Sequence, residues 1–116
     1  MVIDTRAIGF KLTDAILGHV EGRIEAALGF AAPHVRRVTV RVDDVNGDHG
    51  GADKRCRVVV ALRQQRTLTA EAVDVDLYAA VDAAGHKARQ ALVRDLQRHV
   101  ALQRKDAQRP GTLIPA

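Results

Sequence analysis

In the stretch Val73 to Val100, Leu77, Val81, Ala84, Ala88, Leu92, Leu96 and His99 recur at helical spacing, which predicts one long helix with a single apolar stripe. Upstream, the period changes to two. From Val35 to Asp43, Val38, Val40 and Val42 point one way and Arg37, Thr39 and Arg41 the other. Lys54 to Arg63 repeats the pattern, with Cys56, Val58, Val60 and Leu62 inward and Arg55, Arg57 and Arg63 outward. Arg66 to Val73 is a third alternating run, with Leu68, Ala70 and Ala72 on one face. Three consecutive strands joined by short links predict an antiparallel meander. Met1 to Ile8 reads as a weaker strand, interrupted by Asp4 and Arg6 and broken at Gly9.

Between the first two strands lies a second amphipathic helix. Thr13 is placed to cap it, Asp14 suits the positive end of its dipole, and Leu12 and Leu17 have the spacing of a hydrophobic staple. Ile16, Val20, Ile24, Ala27 and Leu28 form its buried face, and Gly29 is placed to end it. Gly18 and Gly22 fall on its polar side. The order is therefore β-α-β-β-β-α. It implies an α+β two-layer sandwich, with two helices on one face of a four-stranded, mainly antiparallel sheet. The domain is expected over residues 1–106, and residues 107–116, with Pro110, Gly111 and Pro115, as a disordered tail.

Charge changes this picture more than composition does. The chain has 116 residues, a net charge of +4 and a single cysteine, which suits one domain without an internal disulfide and a cytoplasmic location. No apolar run reaches the length of a membrane span, and the N-terminus lacks a signal-peptide pattern. The cations are unevenly spread. Up to residue 35 there are only Arg6, Lys11 and Arg23, against Asp4, Asp14, Glu21 and Glu25. Beyond it, arginines crowd the strands, and Lys87, Arg94, Arg98 and Lys105 follow at steps of seven, four and seven. At about 100° per residue these four fall on one narrow line, a quarter turn from the apolar stripe. Ala80, Ala83, Ala91 and Ala101 share that flank and suggest a close approach by a partner. A pI near 9.8 with clustered cations points to a polyanion. Phe10, Phe30 and Tyr78 are the whole aromatic complement, so base stacking has little to work with. Nucleic-acid binding would then depend on phosphate and shape.

Reactive chemistry is hard to find. The loop Asp44 to Asp53 alternates Asp44, Asn46 and Asp48 like a calcium loop. However, His49 stands where the turn glycine belongs, Arg55 where the bidentate glutamate belongs, and strands flank it. The five histidines have no ligand spacing with Cys56, so no metal is expected. No glycine-rich nucleotide loop is present, and no cofactor is expected. Cys56 alternates with apolar residues as a buried thiol, and Asp74 and Asp76 suit the start of the long helix. The expectation is a protein without catalytic residues.

The run Asp76-Leu77-Tyr78-Ala79-Ala80-Val81-Asp82, followed by Lys87 and the basic residues through Arg98 and His99, resembles the last helix of the family of ribosome hibernation-promoting factors and ribosome-associated inhibitors. The segments VRRVTVRVDDVNGD and DKRCRVVVAL are similar to the middle strands of its small members, and the element order agrees with that family's fold. The resemblance covers roughly residues 1–100. It implies a translation inhibitor that binds the small ribosomal subunit through rRNA and occludes the mRNA and tRNA sites in idle ribosomes, as in a stress response. The helix cations it carries over are Lys87, Arg89, Arg94 and Arg98; Arg37, Arg41, Arg55 and Arg57 are a second candidate RNA-binding surface. The chain departs from the family in its first helix, where Arg23 is the one fixed cation. The resemblance is to the short members, without the C-terminal dimerisation domain of long ones, so a monomer acting on single ribosomes is expected, with no membrane or DNA partner. Two other classes fit the residues: a basic module that binds an acidic protein, and a small ligand-binding or redox-sensing domain that uses Cys56.

Overall fold

The computed structural model describes residues 1–45 and 53–107, with side chains described up to residue 102. Strand β1 (Val2–Ile8) is followed by helix α1 (Asp14–Leu28), strands β2 (Val35–Asp44), β3 (Lys54–Leu62) and β4 (Thr67–Asp74), and helix α2 (Leu77–Ala107). The sheet order is β1-β2-β3-β4. β1 runs parallel to β2, a pairing that needs a crossover, and α1 supplies it. The β2–β3 and β3–β4 pairs are antiparallel, as the meander requires. The fold is the α+β sandwich that the periodicity predicts.

The inward positions of the alternating runs form the core. Val38, Val40, Val42, Cys56, Val58, Val60 and Leu62 are fully buried. They meet Val20, Ile24 and Leu28 from α1 and Val81, Ala84, Ala88 and Leu92 from α2 in one cluster. Ala80 is also fully buried, so this alanine of the basic flank packs against the sheet and is not open to a partner. Gly85 of α2 would place a Cβ 3.9 Å from that of Ala27, so small residues at this crossing allow the two helices to lie close.

Local chemistry sets the helix ends. The Thr13 hydroxyl accepts the Ile16 N–H at 3.2 Å and caps α1. Gly29 follows the last residue of α1 but keeps a right-handed conformation, and the chain tightens into a 3₁₀ segment, Gly29–His34, that contains Pro33. The left-handed glycine stop suggested by the sequence is therefore replaced by a narrowing of the helix. Asp76 caps α2, with its Oδ1 accepting the Tyr78 N–H at 3.0 Å, and Asp74 Oδ1 accepts the Asp76 N–H at 3.0 Å. α2 continues past Val100 to Ala107, the first residue of the expected tail. The rest of that tail, and the loop residues 46–52, lie outside the described residues.

Gly18 and Gly22 sit in α1 with open space around them: a methyl group added at either would meet nothing within 4 Å. Glycine in a helix interior costs about 1 kcal/mol relative to alanine. Gly18→Ala and Gly22→Ala should each raise the unfolding free energy by about that amount. The shift would appear in the urea midpoint at constant slope. An unchanged midpoint would mean that the α1 surface is not under this penalty.

Candidate nucleic-acid interface

The outward positions of the strands form the open face of the sheet, opposite the helices. Register brings its cations abreast: Arg6 pairs with Arg41 across β1–β2, and Arg41 with Arg57 across β2–β3. Like charges directly opposite one another destabilise a sheet, so a row of three arginines is not a choice made for folding. The next residue along the row is Glu71 of β4, in register with Arg57 and 3.4 Å from its Nε. One step away along the strands, Asp43 is only 6 % exposed and holds two arginines. Arg55 donates to both of its oxygens, at 3.0 and 2.6 Å, and Arg41 lies at 3.4 Å. The Arg55 guanidinium is the main cause holding the Asp43 carboxyl below the usual carboxylate range, against the opposing effect of burial. Lys54 bridges Asp44 and Asp53 at the base of the β2–β3 hairpin, at 3.0 and 3.2 Å. These hydrogen bonds hold its ammonium pKa above the ordinary lysine value. The open face is therefore basic but partly neutralised from within.

The stripe on α2 is different. Lys87 donates to the Glu71 carbonyl at 3.2 Å and Arg94 to the Gln90 carbonyl at 3.4 Å, both uncharged acceptors. Among the described residues, Arg98 meets no acid. Lys105 lies beyond the described side chains. The stripe thus keeps its charge. It runs along the side of α2 that overhangs the edge strand β4, because Lys87 sits a quarter turn from the core residues Ala84 and Ala88. Glu71 joins the two surfaces: its carboxylate meets Arg57 on the open face, and its carbonyl meets Lys87 on the helix side. The helix and sheet cations point in different directions and meet at the β4 edge, where Glu71 contacts both.

Arg89 belongs to neither surface. It leaves α2 on the opposite flank, donates to the Ala27 carbonyl at 3.1 Å, and lies 4.5 Å over the ring of Phe30. That contact ties α2 to the end of α1. On the same flank, Asp82 accepts from His19 at 2.8 Å and pairs with Arg23 at 3.1 Å, so the fixed cation of α1 is also engaged between the helices. Arg37 stands exposed on the open face. The alternation showed which strand residues face outward; it did not reveal the Glu71 hinge or the Arg6 row, both of which depend on register.

Cys56 is fully buried, and burial, with Asp43 as a lesser cause, pushes its thiol pKa up to about 12. A thiol held protonated is a poor nucleophile. In the folded protein Cys56 should therefore resist iodoacetamide at about pH 8, and react rapidly once denaturant is added. Rapid alkylation without denaturant would revive the redox-sensing reading.

Among the described residues, no helix is long and apolar enough to cross a membrane, and no cluster of His, Cys, Asp and Glu could hold a metal. The residues of the loop that resembles a calcium site fall largely outside the described set.

Comparison with known proteins places this surface on a known scaffold. A ribosomal subunit interface protein from Coxiella burnetii superposes with a TM-score of 0.72 at 20% identity, over 84% of this chain and 99% of that one. The N-terminal domain of Protein Y from Thermus thermophilus gives 0.66 at 23% identity, over 81% and 98%. At such identities the likeness establishes the fold. No curated protein matches the chain. The family model for Sigma 54 modulation protein / S30EA ribosomal protein matches residues 3–100. That match runs from the second residue of β1 through all four strands, α1 and most of α2, and the chain belongs to this family.

Proposed function

We propose that this chain is a ribosome-associated hibernation factor that binds rRNA of the small ribosomal subunit and occludes the mRNA and tRNA sites. The observation that carries the reading is the row Lys87, Arg94 and Arg98, which keeps its charge along the overhanging side of α2 and adjoins the sheet arginines at Glu71. Family membership supports a ribosomal partner, and the neighbour from Coxiella burnetii is described as a ribosomal subunit interface protein. A surface rich in lysine and arginine and poor in aromatic rings is suited to phosphate backbones in a folded RNA groove. The mechanism is steric: a rigid sandwich fills a channel that mRNA and tRNA would otherwise occupy, and no bond is made or broken.

The stripe should contribute more to affinity than the open face. Arg41, Arg55 and Arg57 already have carboxylate partners, and an RNA phosphate must compete with these. The exposed Arg57–Glu71 pair is worth about 0–1 kcal/mol and competes mildly, whereas buried Asp43 holds Arg55 through two hydrogen bonds; among the described residues the stripe has no such competitor. Cosedimentation with purified ribosomal subunits across a salt series tests the reading. With six to eight phosphate contacts, affinity should fall by roughly three to four decades between low and moderate salt. Initiator tRNA and mRNA should compete for the same subunit. Failure to bind at low salt would remove the ribosome from the proposal and leave an acidic protein as the partner to seek.

A further inference from the structure

The end of the sandwich that carries the β3–β4 turn holds a recess of about 350 Å³. Arg63, Arg66, His34 and His99 supply its polar wall, and Leu96 and Val100 its apolar wall. None of these residues is acidic. We propose that this recess is a binding site for a phosphate group on a nucleotide-sized ligand, separate from the α2 stripe. His99 directly follows Arg98 of the stripe but lies about 100° away around the helix, and no stripe residue lines the recess.

The donors are organised. Arg66 sits in the strand side of the recess with its side chain 31% exposed. Its Nη2 lies 3.1 Å from Asp95 Oδ2, which anchors the guanidinium. Its Nη1 is 3.1 Å from His99 Nδ1. Arginine can only donate, so Nδ1 of His99 is the acceptor and the neutral ring carries its proton on Nε2. The Nε–H of Arg66 and the Oδ2 of Asp95 are both buried and, among the described residues, neither has a hydrogen-bond partner, so a small turn of the guanidinium would pair them with each other; the Nη groups and Arg63 are what face the recess. Arg63 is fixed at the mouth by donating its Nε–H to the Pro33 carbonyl at 2.7 Å. The turn that sets these two arginines three residues apart is itself strained. Gln64 and Gln65 both adopt left-handed conformations, with φ of 66° and 61°, where glycine or asparagine is the usual choice. Strain of this kind is found where a loop holds a binding geometry. The apolar wall at Leu96 and Val100 suits a ribose or base edge beyond the phosphate.

The phosphate could come from a free nucleotide or from an RNA chain, and the test separates the two. Adenosine 5′-monophosphate is titrated into the ¹⁵N-labelled protein, with adenosine and inorganic phosphate as controls. The expected result is saturable shifts confined to Arg63–Arg66, His34 and His99–Val100, given by the nucleotide, weaker with phosphate and absent with adenosine. Arg63→Ala, on the exposed rim, should weaken binding about tenfold with an unchanged spectrum elsewhere. Removing Arg66 could unfold the protein by leaving Asp95 unpaired, so Arg66→Lys is the second variant: it keeps the charge and loses the fork, and should weaken binding comparably. If Arg63→Ala weakens the nucleotide alone, the site serves a free nucleotide; if it weakens ribosome binding as well, the site takes an RNA phosphate. Adenosine shifts equal to those of the nucleotide, no saturation by about 10 mM, or shifts spread evenly along α2 would each overturn the proposal. The nucleotide titrations need no ribosome, so they stand apart from the occlusion mechanism; only the choice between free nucleotide and RNA uses one.

Discussion

Replacing Lys87, Arg94 and Arg98 together by glutamate should lower affinity for the small ribosomal subunit by at least about a hundredfold at physiological salt. Each phosphate contact contributes roughly 0.7 of a decade under those conditions through counterion release, and three are lost before any repulsion is counted. The slope of log affinity against log salt should shrink by about two to three units, which distinguishes lost phosphate contacts from a general loss of fit. The fold should survive. The three side chains are exposed, and the two whose hydrogen bonds are visible donate only to carbonyls of Glu71 and Gln90. Glutamate is also a good helix former. The matching reversal of Arg37, Arg41 and Arg57 on the open face should weaken binding less, because Arg41 and Arg57 begin partly neutralised by Asp43 and Glu71. If the helix variant binds normally and the sheet variant does not, the RNA lies on the open face and the stripe is only a solvated edge.

The two periodicities explain why so much of the fold could be read in advance. Val38, Val40, Val42, Val58 and Val60 alternate with outward residues, Arg37, Arg41 and Arg57 among them, because one side of the sheet is covered by helices and the other is not. The helix caps were equally legible, since Thr13 and Asp76 act on backbone groups within three residues of themselves. What could not be read depends on partners far away in the chain. Arg89 differs from Lys87 by two positions, hence about 200° around the helix, but only the placement of α1 gives it Phe30 and the Ala27 carbonyl. Asp82 looks like part of a helix start, yet it is the residue that joins α2 to His19 and Arg23. Glu71 is unremarkable in an alternating strand until the β3–β4 register sets it beside Arg57. The recess at the β3–β4 turn had no sequence signal, because a pair of glutamines does not announce a left-handed turn.

Leu92→Ala should cost about 3 kcal/mol of stability, a large share of the 5–15 kcal/mol typical of a domain. Leu92 is fully buried and is the largest such side chain that α2 contributes to the core. Ala88, one turn before it in the stripe, is too short to move into the space it would vacate. The loss should register as a lower urea midpoint with the slope unchanged. Binding should respond quite differently. At a temperature where the variant remains folded, the backbone of α2 still presents Lys87, Arg94 and Arg98 on its exposed flank, and affinity should stay within about threefold of the parent. The unfolded fraction enters the apparent affinity only in proportion to its population. The pair of experiments therefore separates the platform from the charge it carries: the glutamate triple loses affinity and keeps stability, and Leu92→Ala does the reverse. A Leu92→Ala variant that stays folded but binds as poorly as the triple would show that the seating of α2 on the sheet, and not its charge alone, sets the fit to RNA.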